Sequence, residues 1–64
     1  MGKFIKIDGA IVNVIHIFTI KKTNKFNKYP FTLEVELGNN FLYEHYRSQE
    51  ELDKRFEDLF EILK

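Results

Sequence analysis

The most regular hydrophobic pattern lies at the C-terminal end of the chain. Between Gln49 and Leu63, apolar residues recur at spacings of three and four, the period of a helix with one apolar stripe. Ser48 and Glu51 form a capping box, in which each side chain binds a free backbone amide at the helix start. The pattern therefore predicts a helix from Gln49 to Leu63. Its apolar stripe is predicted to be Leu52, Phe56, Leu59, Phe60 and Leu63, with Lys54, Arg55, Asp58 and Glu61 away from it.

A strict alternation of apolar and polar residues occupies Phe31–Leu37, "FTLEVEL", and predicts a half-buried antiparallel strand. The next residues, "GNN", tolerate positive φ and are typical of a tight hairpin. The segment Phe41–Arg47, "FLYEHYR", then returns as the neighbouring strand.

The register of this hairpin decides which face each residue takes. A two-residue turn at Asn39–Asn40 sets Leu37 opposite Leu42, and its weak point is Glu44, which it places on the apolar face. A three-residue loop would instead oppose Glu34 to Glu44, a destabilising pair of like charges. The first register is preferred. It predicts that the second face of the sheet carries Phe41, Tyr43, His45, Glu34 and Glu36.

The N-terminal half contains two further strands. Asp8-Gly9 follows "KFIKI" and is a strong signal for a tight hairpin. The alternation shifts phase near Asn13, which predicts a break or bulge there, and "HIFTIKK", His16–Lys22, is the main part of a long second strand. The complete pattern predicts an α+β fold in one domain, residues 1–64: a four-stranded antiparallel β-meander followed by one C-terminal helix packed on one sheet face (ββββα).

Charge and composition narrow the function classes. Ten basic and ten acidic residues give a net charge of zero, which argues against a protein that simply coats nucleic acid. The absence of cysteine excludes disulfides, thiolate zinc sites and a cysteine nucleophile. The chain has neither a signal-peptide pattern nor a membrane-length apolar run, so we expect a cytoplasmic protein that does not bind membranes. Its many Ile, Lys, Asn and Phe residues are typical of AT-rich bacterial or phage genomes.

A lysine-rich connection between two predicted strands has two interpretations. A polar strand connection is expected in any case, and lysines at strand ends discourage edge-to-edge aggregation. Alternatively, its lysines contact phosphates while its aromatic rings stack on the bases of a nucleotide or nucleic acid. The first interpretation is favoured, because the connection lacks arginine and supporting positive charge. The residues concerned are Lys21, Lys22, Lys25 and Lys28, with Phe26 and Tyr29 between them.

Catalytic and metal-binding patterns are weak. His16 and His45 are the only histidines, and they lack the short-range spacing of metal ligands. The chain has no nucleophile elbow and no glycine-rich phosphate loop. We therefore expect no catalytic residue, no bound metal and no cofactor; an enzyme dependent on metal or histidine is the least favoured hypothesis.

The aromatic second face of the sheet is the most informative functional signal. One helix covers only one face, so aromatic residues on the other face pack against a second copy or bind a partner. A chain this short gains stability by self-association, which predicts a homodimer or larger homo-oligomer. We expect a small non-enzymatic interaction or regulatory protein, bacterial or phage-encoded, that binds a host or partner protein. The alternative is an oligomeric binder of a nucleotide-type ligand or nucleic acid. The candidate binding residues are Phe41, Tyr43, His45, Phe18, Lys21, Lys22, Lys25 and Lys28.

The layout resembles that of very small bacterial and phage proteins, and among named families it is similar to the FlbD/SwrD type of motility-associated protein. The resemblance implies a role in motility, but it carries over no functional residue. The sequence departs from the family in its longer lysine-rich loop and its longer helix. The matching positions are Gly9, Ile11, Asn13, Ile17, Ile20, Leu33, Val35, Leu37, Ser48 and Glu51.

Overall fold

A computed structural model describes residues 3–64 and shows an α+β fold with five strands and one C-terminal helix. The strands form two antiparallel sheets, β1–β2 and β3–β4–β5, so the predicted single four-stranded meander is wrong in strand number and sheet arrangement. A short 3-10 helix, Val14–His16, lies between β2 and β3. The elements are β1 Phe4–Ile7, β2 Ala10–Asn13, β3 Thr19–Thr23, β4 Phe31–Glu36, β5 Phe41–Tyr46 and α1 Gln49–Leu63.

The N-terminal hairpin forms at the predicted turn. Asp8 and Gly9 have φ values of 50° and 80°, and they connect Ile7 directly to its cross-strand partner Ala10. Two consecutive residues with positive φ are the requirement of the type I′ turn, whose twist matches that of the strands. The Asp8-Gly9 prediction is therefore confirmed.

Asn13 divides what the sequence predicted to be one long second strand. Its Oδ1 atom accepts a hydrogen bond from Ile15 N–H at 3.2 Å, and Ile17 N–H donates to Val14 O at 3.2 Å. These bonds close the 3-10 turn, so the predicted break at Asn13 is confirmed. Because the chain leaves the first sheet there, β3 begins a separate sheet at Thr19.

The β4–β5 hairpin turns at Gly38–Asn39, one position earlier than predicted. Leu37 N–H donates to Asn40 O at 2.8 Å, and Asn39 N–H donates to Leu37 O at 2.9 Å. The second bond is that of a γ-turn, which needs the positive φ of 84° that Gly38 adopts. The glycine, not the asparagine pair, therefore fixes the position of the turn.

The turn position changes the register of the hairpin but not its faces. Val35 rather than Leu37 lies opposite Leu42, so the preferred register is wrong by two residues. Glu34 lies opposite Tyr43, which also contradicts the three-residue alternative. Side chains alternate with a period of two, so a two-residue shift keeps each side chain on its predicted face.

The core lies between α1 and one face of the three-stranded sheet. The helix has the predicted limits, and Ser48 caps it, since Ser48 Oγ accepts from Glu51 N–H at 3.2 Å. The other half of the predicted capping box differs: Glu51 Oε1 accepts from the N–H of Arg47, the residue before the cap, at 3.1 Å. Within residues 3–64, no helix has the length and apolar character needed to cross a membrane. The buried cluster consists of Ile5, Ile7, Leu33, Val35, Leu52 and Leu59.

The buried stripe of α1 differs from the prediction at its edges. Leu52 and Leu59 are buried, but Phe60 and Leu63 are 55% and 37% exposed. Phe60 lies about 80° around the helix from Leu52, beyond the surface that the sheet covers. Arg55, predicted to lie away from the stripe, instead reaches the core side, where its Nε donates to Glu44 Oε1 at 3.0 Å.

Candidate functional site

The lysine-rich connection, residues 24–30, folds back over the second face of the three-stranded sheet. The ring of Tyr29 stacks on His45 with centroids 4.3 Å apart, and Phe26 meets Tyr43 edge-on at 4.9 Å. Thr32 and Glu34 on this face are consequently buried, although α1 lies on the opposite side. The expectation of an open aromatic face is therefore wrong for its centre. We call Thr32, Glu34, Tyr43 and His45 the loop-covered face.

A hydrogen-bond chain anchors the end of the connection. Thr32 Oγ1 lies 2.7 Å from Tyr29 O and 2.8 Å from His45 Nδ1. The carbonyl can only accept, so the hydroxyl donates its proton to Tyr29 O, and Nδ1 of His45 must be the donor to Oγ1. His45 therefore carries a proton on Nδ1, and its ring is held in the orientation that stacks on Tyr29.

Glu34 is a buried carboxylate beneath the connection and is only 5% exposed. Its Oε1 atom lies 2.9 Å from Lys25 Nζ, and its Oε2 atom lies 3.4 Å from Lys21 Nζ. Oε1 receives no hydrogen bond of good geometry within the described residues, so the close Lys25 contact acts as an ion pair. The contacts of Lys25 and then Lys21 hold the pKa of Glu34 below its usual value, against the opposing effect of burial. Two predicted binding lysines thus already neutralise a carboxylate of the same chain.

The other two lysines lie in different places. Lys22 points to the helix side of the sheet, where its Nζ atom lies 3.0 Å from Asp53 Oδ1 and 5.0 Å from the ring centroid of Phe56. Lys28 Nζ stands 5.7 Å from the ring centroid of Tyr29 on the outside of the connection. The four lysines therefore do not form one basic patch.

The predicted aromatic residues are only partly grouped. Phe41 and Tyr43 lie on the same face of β5 with nearly parallel rings 6.4 Å apart, and Phe41 remains 47% exposed. Phe18 lies outside this group, just before β3. Its ring lies beside Gly38 in the β4–β5 turn: a Cβ atom added to Gly38 would be 3.9 Å from the ring. Its side chain is 75% exposed.

A second surface, in the N-terminal part of the chain, exposes more apolar side chain. Phe4 and Ile11 lie on the outer face of the β1–β2 hairpin, where they are 64% and 77% exposed. Ile15 in the 3-10 helix is 73% exposed, and Phe18 follows it. We call Phe4, Ile11, Ile15 and Phe18 the N-terminal apolar surface. Among these, Phe18 was a predicted binding residue.

A shallow groove of about 360 Å³ lies beside β2. Ile11, Val12 and Asn13 form one wall, and the β4–β5 turn with Leu37 forms the other. Ile11 and Val12 point to opposite faces of the hairpin, so a groove lined by both follows the edge of the strand. The groove thus gives access to the backbone of β2.

One sequence signal could have identified this region. No Asp, Glu, Lys or Arg occurs from Gly9 to Ile20, the longest such run in the chain. The core of residues 3–64 contains seven buried hydrophobic side chains, which is too few to bury every apolar side chain of this run. Some apolar side chains of the run therefore lie on the surface. Within residues 3–64 the side chains form no group of three or more His, Cys, Asp or Glu residues suited to a metal ion.

Comparisons of the chain with protein-family models, with curated proteins and with solved structures find no match. The likeness to FlbD/SwrD-type proteins therefore stays a prediction based on layout.

Proposed function

We propose that this chain is a non-enzymatic interaction module of the bacterial or phage cytoplasm, which binds a partner protein as a homo-oligomer. The observation that supports this most strongly is the N-terminal apolar surface. Its four large side chains are 64–77% exposed, whereas residues 3–64 bury only seven hydrophobic side chains.

Free energy favours covering this surface. Removing apolar area from water contributes roughly 25 cal/mol per Å², and a fully buried aromatic side chain covers about 150–250 Å². Phe4 and Phe18 leave most of that area in contact with water. Large apolar patches on a folded chain commonly mark binding sites for other proteins.

The proposed binding surface differs from the one that the sequence favoured. Tyr43 and His45 lie against the aromatic residues of the connection, so Phe26 and Tyr29 restrict access to their rings. Phe41 and His45 are the members of that group that remain exposed. A partner therefore gains more contact area at the N-terminal apolar surface without any rearrangement.

Photo-crosslinking in the native cell tests this proposal. A photoreactive amino acid replaces Ile15 in one variant and Glu57, an exposed residue of α1, in a matched control. We expect a discrete adduct with another protein from the Ile15 position and none from Glu57. Equal labelling from both positions, or no protein adduct from Ile15, would contradict the proposal.

The alternative function, binding of a nucleotide-type ligand or nucleic acid, has one supporting feature. A groove of about 390 Å³ between the connection and the start of α1 is lined in part by Lys21 and Lys22. Both lysines already have carboxylate partners, which weakens their attraction for phosphate. Fluorescence anisotropy with short labelled oligonucleotides at low salt tests this alternative. Binding that Lys21→Glu and Lys22→Glu abolish would support it, and binding that is absent or unchanged in these variants would exclude it.

A further inference from the structure

Among residues 3–64, no strand pairs with the edge of β2 that faces away from β1. Val14 N–H donates to Lys3 O at 3.0 Å, which continues the ladder in which Phe4 pairs with Asn13. Backbone groups in an antiparallel pair point alternately toward and away from the partner strand. The amide and carbonyl groups of Ile11 and the amide of Asn13 therefore point away from β1, toward the groove, while the Asn13 carbonyl belongs to the 3-10 helix that it caps.

This edge lacks the protection that the outer edges of β1 and β3 have. On the far side of β1, Lys6 O accepts a hydrogen bond from Arg55 Nη2 at 2.7 Å. The outer edge of β3 carries Lys21 and Lys22, and exposed lysines discourage strand pairing. The segment Ala10–Asn13 contains neither a charge nor a proline. Such an edge is a template for another strand.

We propose that the edge pairs with the same edge of a second copy of this chain, so that two β2 strands run antiparallel in one four-stranded sheet. The inference rests on the homo-oligomer of the proposed function and assigns its interface. The uncharged run Gly9–Ile20 lets two copies meet without opposing like charges, and the zero net charge removes long-range repulsion between them. A two-fold arrangement uses the same edge in both copies and closes at the dimer.

The 3-10 helix selects the position of the two-fold axis. Ile11 supplies a free amide and a free carbonyl and Asn13 only a free amide, because the Asn13 carbonyl starts the 3-10 helix, so the axis passes through either Ile11 or Val12. An axis at Val12 sets Val14, where the 3-10 helix begins, opposite Ala10 of the partner subunit, and the strand would meet a helix. An axis at Ile11 instead pairs Ile11 with Ile11 of the partner subunit and leaves both 3-10 helices beyond the paired strands. We therefore place the axis at Ile11.

The size of the contact limits the affinity. The smallest specific interfaces bury about 600 Å² of solvent-accessible surface on each partner. That area is about one eighth of the 4789 Å² of accessible surface of this chain. Since β2 has only four residues, we expect a concentration-dependent dimer with a dissociation constant on the order of micromolar.

A single introduced cysteine tests the axis directly, because the chain has no cysteine of its own. Directly opposed residues in a hydrogen-bonded antiparallel pair have Cα atoms about 5.5 Å apart, within the range that a disulfide spans. Under mild oxidation we expect Ile11→Cys to form a covalent dimer at least tenfold faster than Ile15→Cys. The two residues have similar exposure, 77% and 73%, so Ile15→Cys is a matched control.

Sedimentation velocity over a concentration series provides the second test. Ile11→Lys places a protective charge on the edge and should give a monomer at concentrations where the wild type dimerises, whereas Ile15→Lys should still dimerise. Circular dichroism confirms that both variants are folded. A wild type that stays monomeric up to about millimolar concentration, or equal crosslinking of the two cysteine variants, would overturn the inference. The two proposals can fail separately. If the wild type is monomeric in sedimentation but the Ile15 position still crosslinks to another protein, only the dimer is overturned. If the wild type dimerises but Ile15 gives no adduct with another protein, only partner binding is overturned.

Discussion

Replacement of Glu44 by glutamine tests the ion pair that the fold places on the core side of β5. Glu44 accepts hydrogen bonds from Arg55 Nε at 3.0 Å, from the Tyr46 hydroxyl at 2.6 Å and from Asp8 N–H at 3.3 Å. The carboxylate thus connects β5 with α1 and with the β1–β2 turn. Glutamine has the same size and can still accept from Tyr46, so the substitution removes mainly the charge.

The expected loss of stability follows from the burial of the pair. Removing one partner of a fully buried ion pair costs about 3–5 kcal/mol. Here the side chains of Arg55 and Glu44 are 26% and 15% exposed, and Arg55 keeps its bond to Lys6 O. Water can therefore compensate in part, and we expect Glu44→Gln to lower the free energy of unfolding by about 2 kcal/mol. In a chain of this length that corresponds to a fall in Tm on the order of 10 °C.

The effect should depend on pH with a defined sign. Burial alone would raise the pKa of Glu44, but the bonds from Arg55, Tyr46 and Asp8 outweigh it, and the pKa lies below its usual value. A carboxyl whose pKa is lower in the folded state stabilises the fold above its unfolded pKa of about 4.3, and this stabilisation is lost as pH falls through the folded pKa. The difference between wild type and Glu44→Gln should therefore be complete at pH 7 and should shrink below about pH 4.

Urea unfolding followed by circular dichroism, repeated from pH 7 to pH 3, measures this difference. Glu57→Gln on the exposed face of α1 makes the same chemical change without a buried partner, and it should change the stability by less than about 0.5 kcal/mol. A Glu44→Gln effect as small as that of the control, or one that stays constant between pH 7 and pH 3, would refute the reasoning.

Four further substitutions test the helix and the connection. Ser48→Ala removes the N-cap of α1 and should cost about 1 kcal/mol in urea unfolding. Leu59→Ala, at a fully buried position, should cost about 3 kcal/mol, whereas Phe60→Ala at a 55% exposed position should cost clearly less; equal losses would contradict the assigned helix face. Tyr29→Ala removes the ring that stacks on His45, so trypsin should cleave the connection several-fold faster in this variant at unchanged global stability. An unchanged cleavage rate would show that the ring does not anchor the connection.

The sequence predicted the local elements because their signals lie within a few residues. The Ser48 cap and the Asp8-Gly9 turn depend only on neighbouring backbone groups, and both appear where expected. The β4–β5 register depends on which two of the three turn-forming residues, Gly38, Asn39 and Asn40, make the turn. The sequence favoured Asn39–Asn40, whereas the structure has a γ-turn at Gly38. The face assignment still held, because the error was an even number of residues.

Long-range contacts account for what the sequence did not predict. Nothing near Glu44 in the sequence indicates that Arg55, eleven residues later, will neutralise it on the apolar face. In the same way, the lysine-rich connection looked like a solvated loop, yet its Phe26 and Tyr29 rings cover a sheet face. Both misjudgements concern polar segments whose roles depend on residues brought together only by folding.

Asn13 links the fold to the proposed binding surface. The valine and isoleucine residues around it favour a continuous strand, in which every second side chain would face the core side of the sheet. Its Oδ1 atom instead accepts from Ile15 N–H and starts a 3-10 turn, so that β2 stops after four residues. The turn carries Ile15 outward, and the short β2 ends beside an open groove with its outer edge unpaired. One polar residue in an uncharged run thus both divides the two sheets and creates the exposed apolar surface that the proposed contacts require.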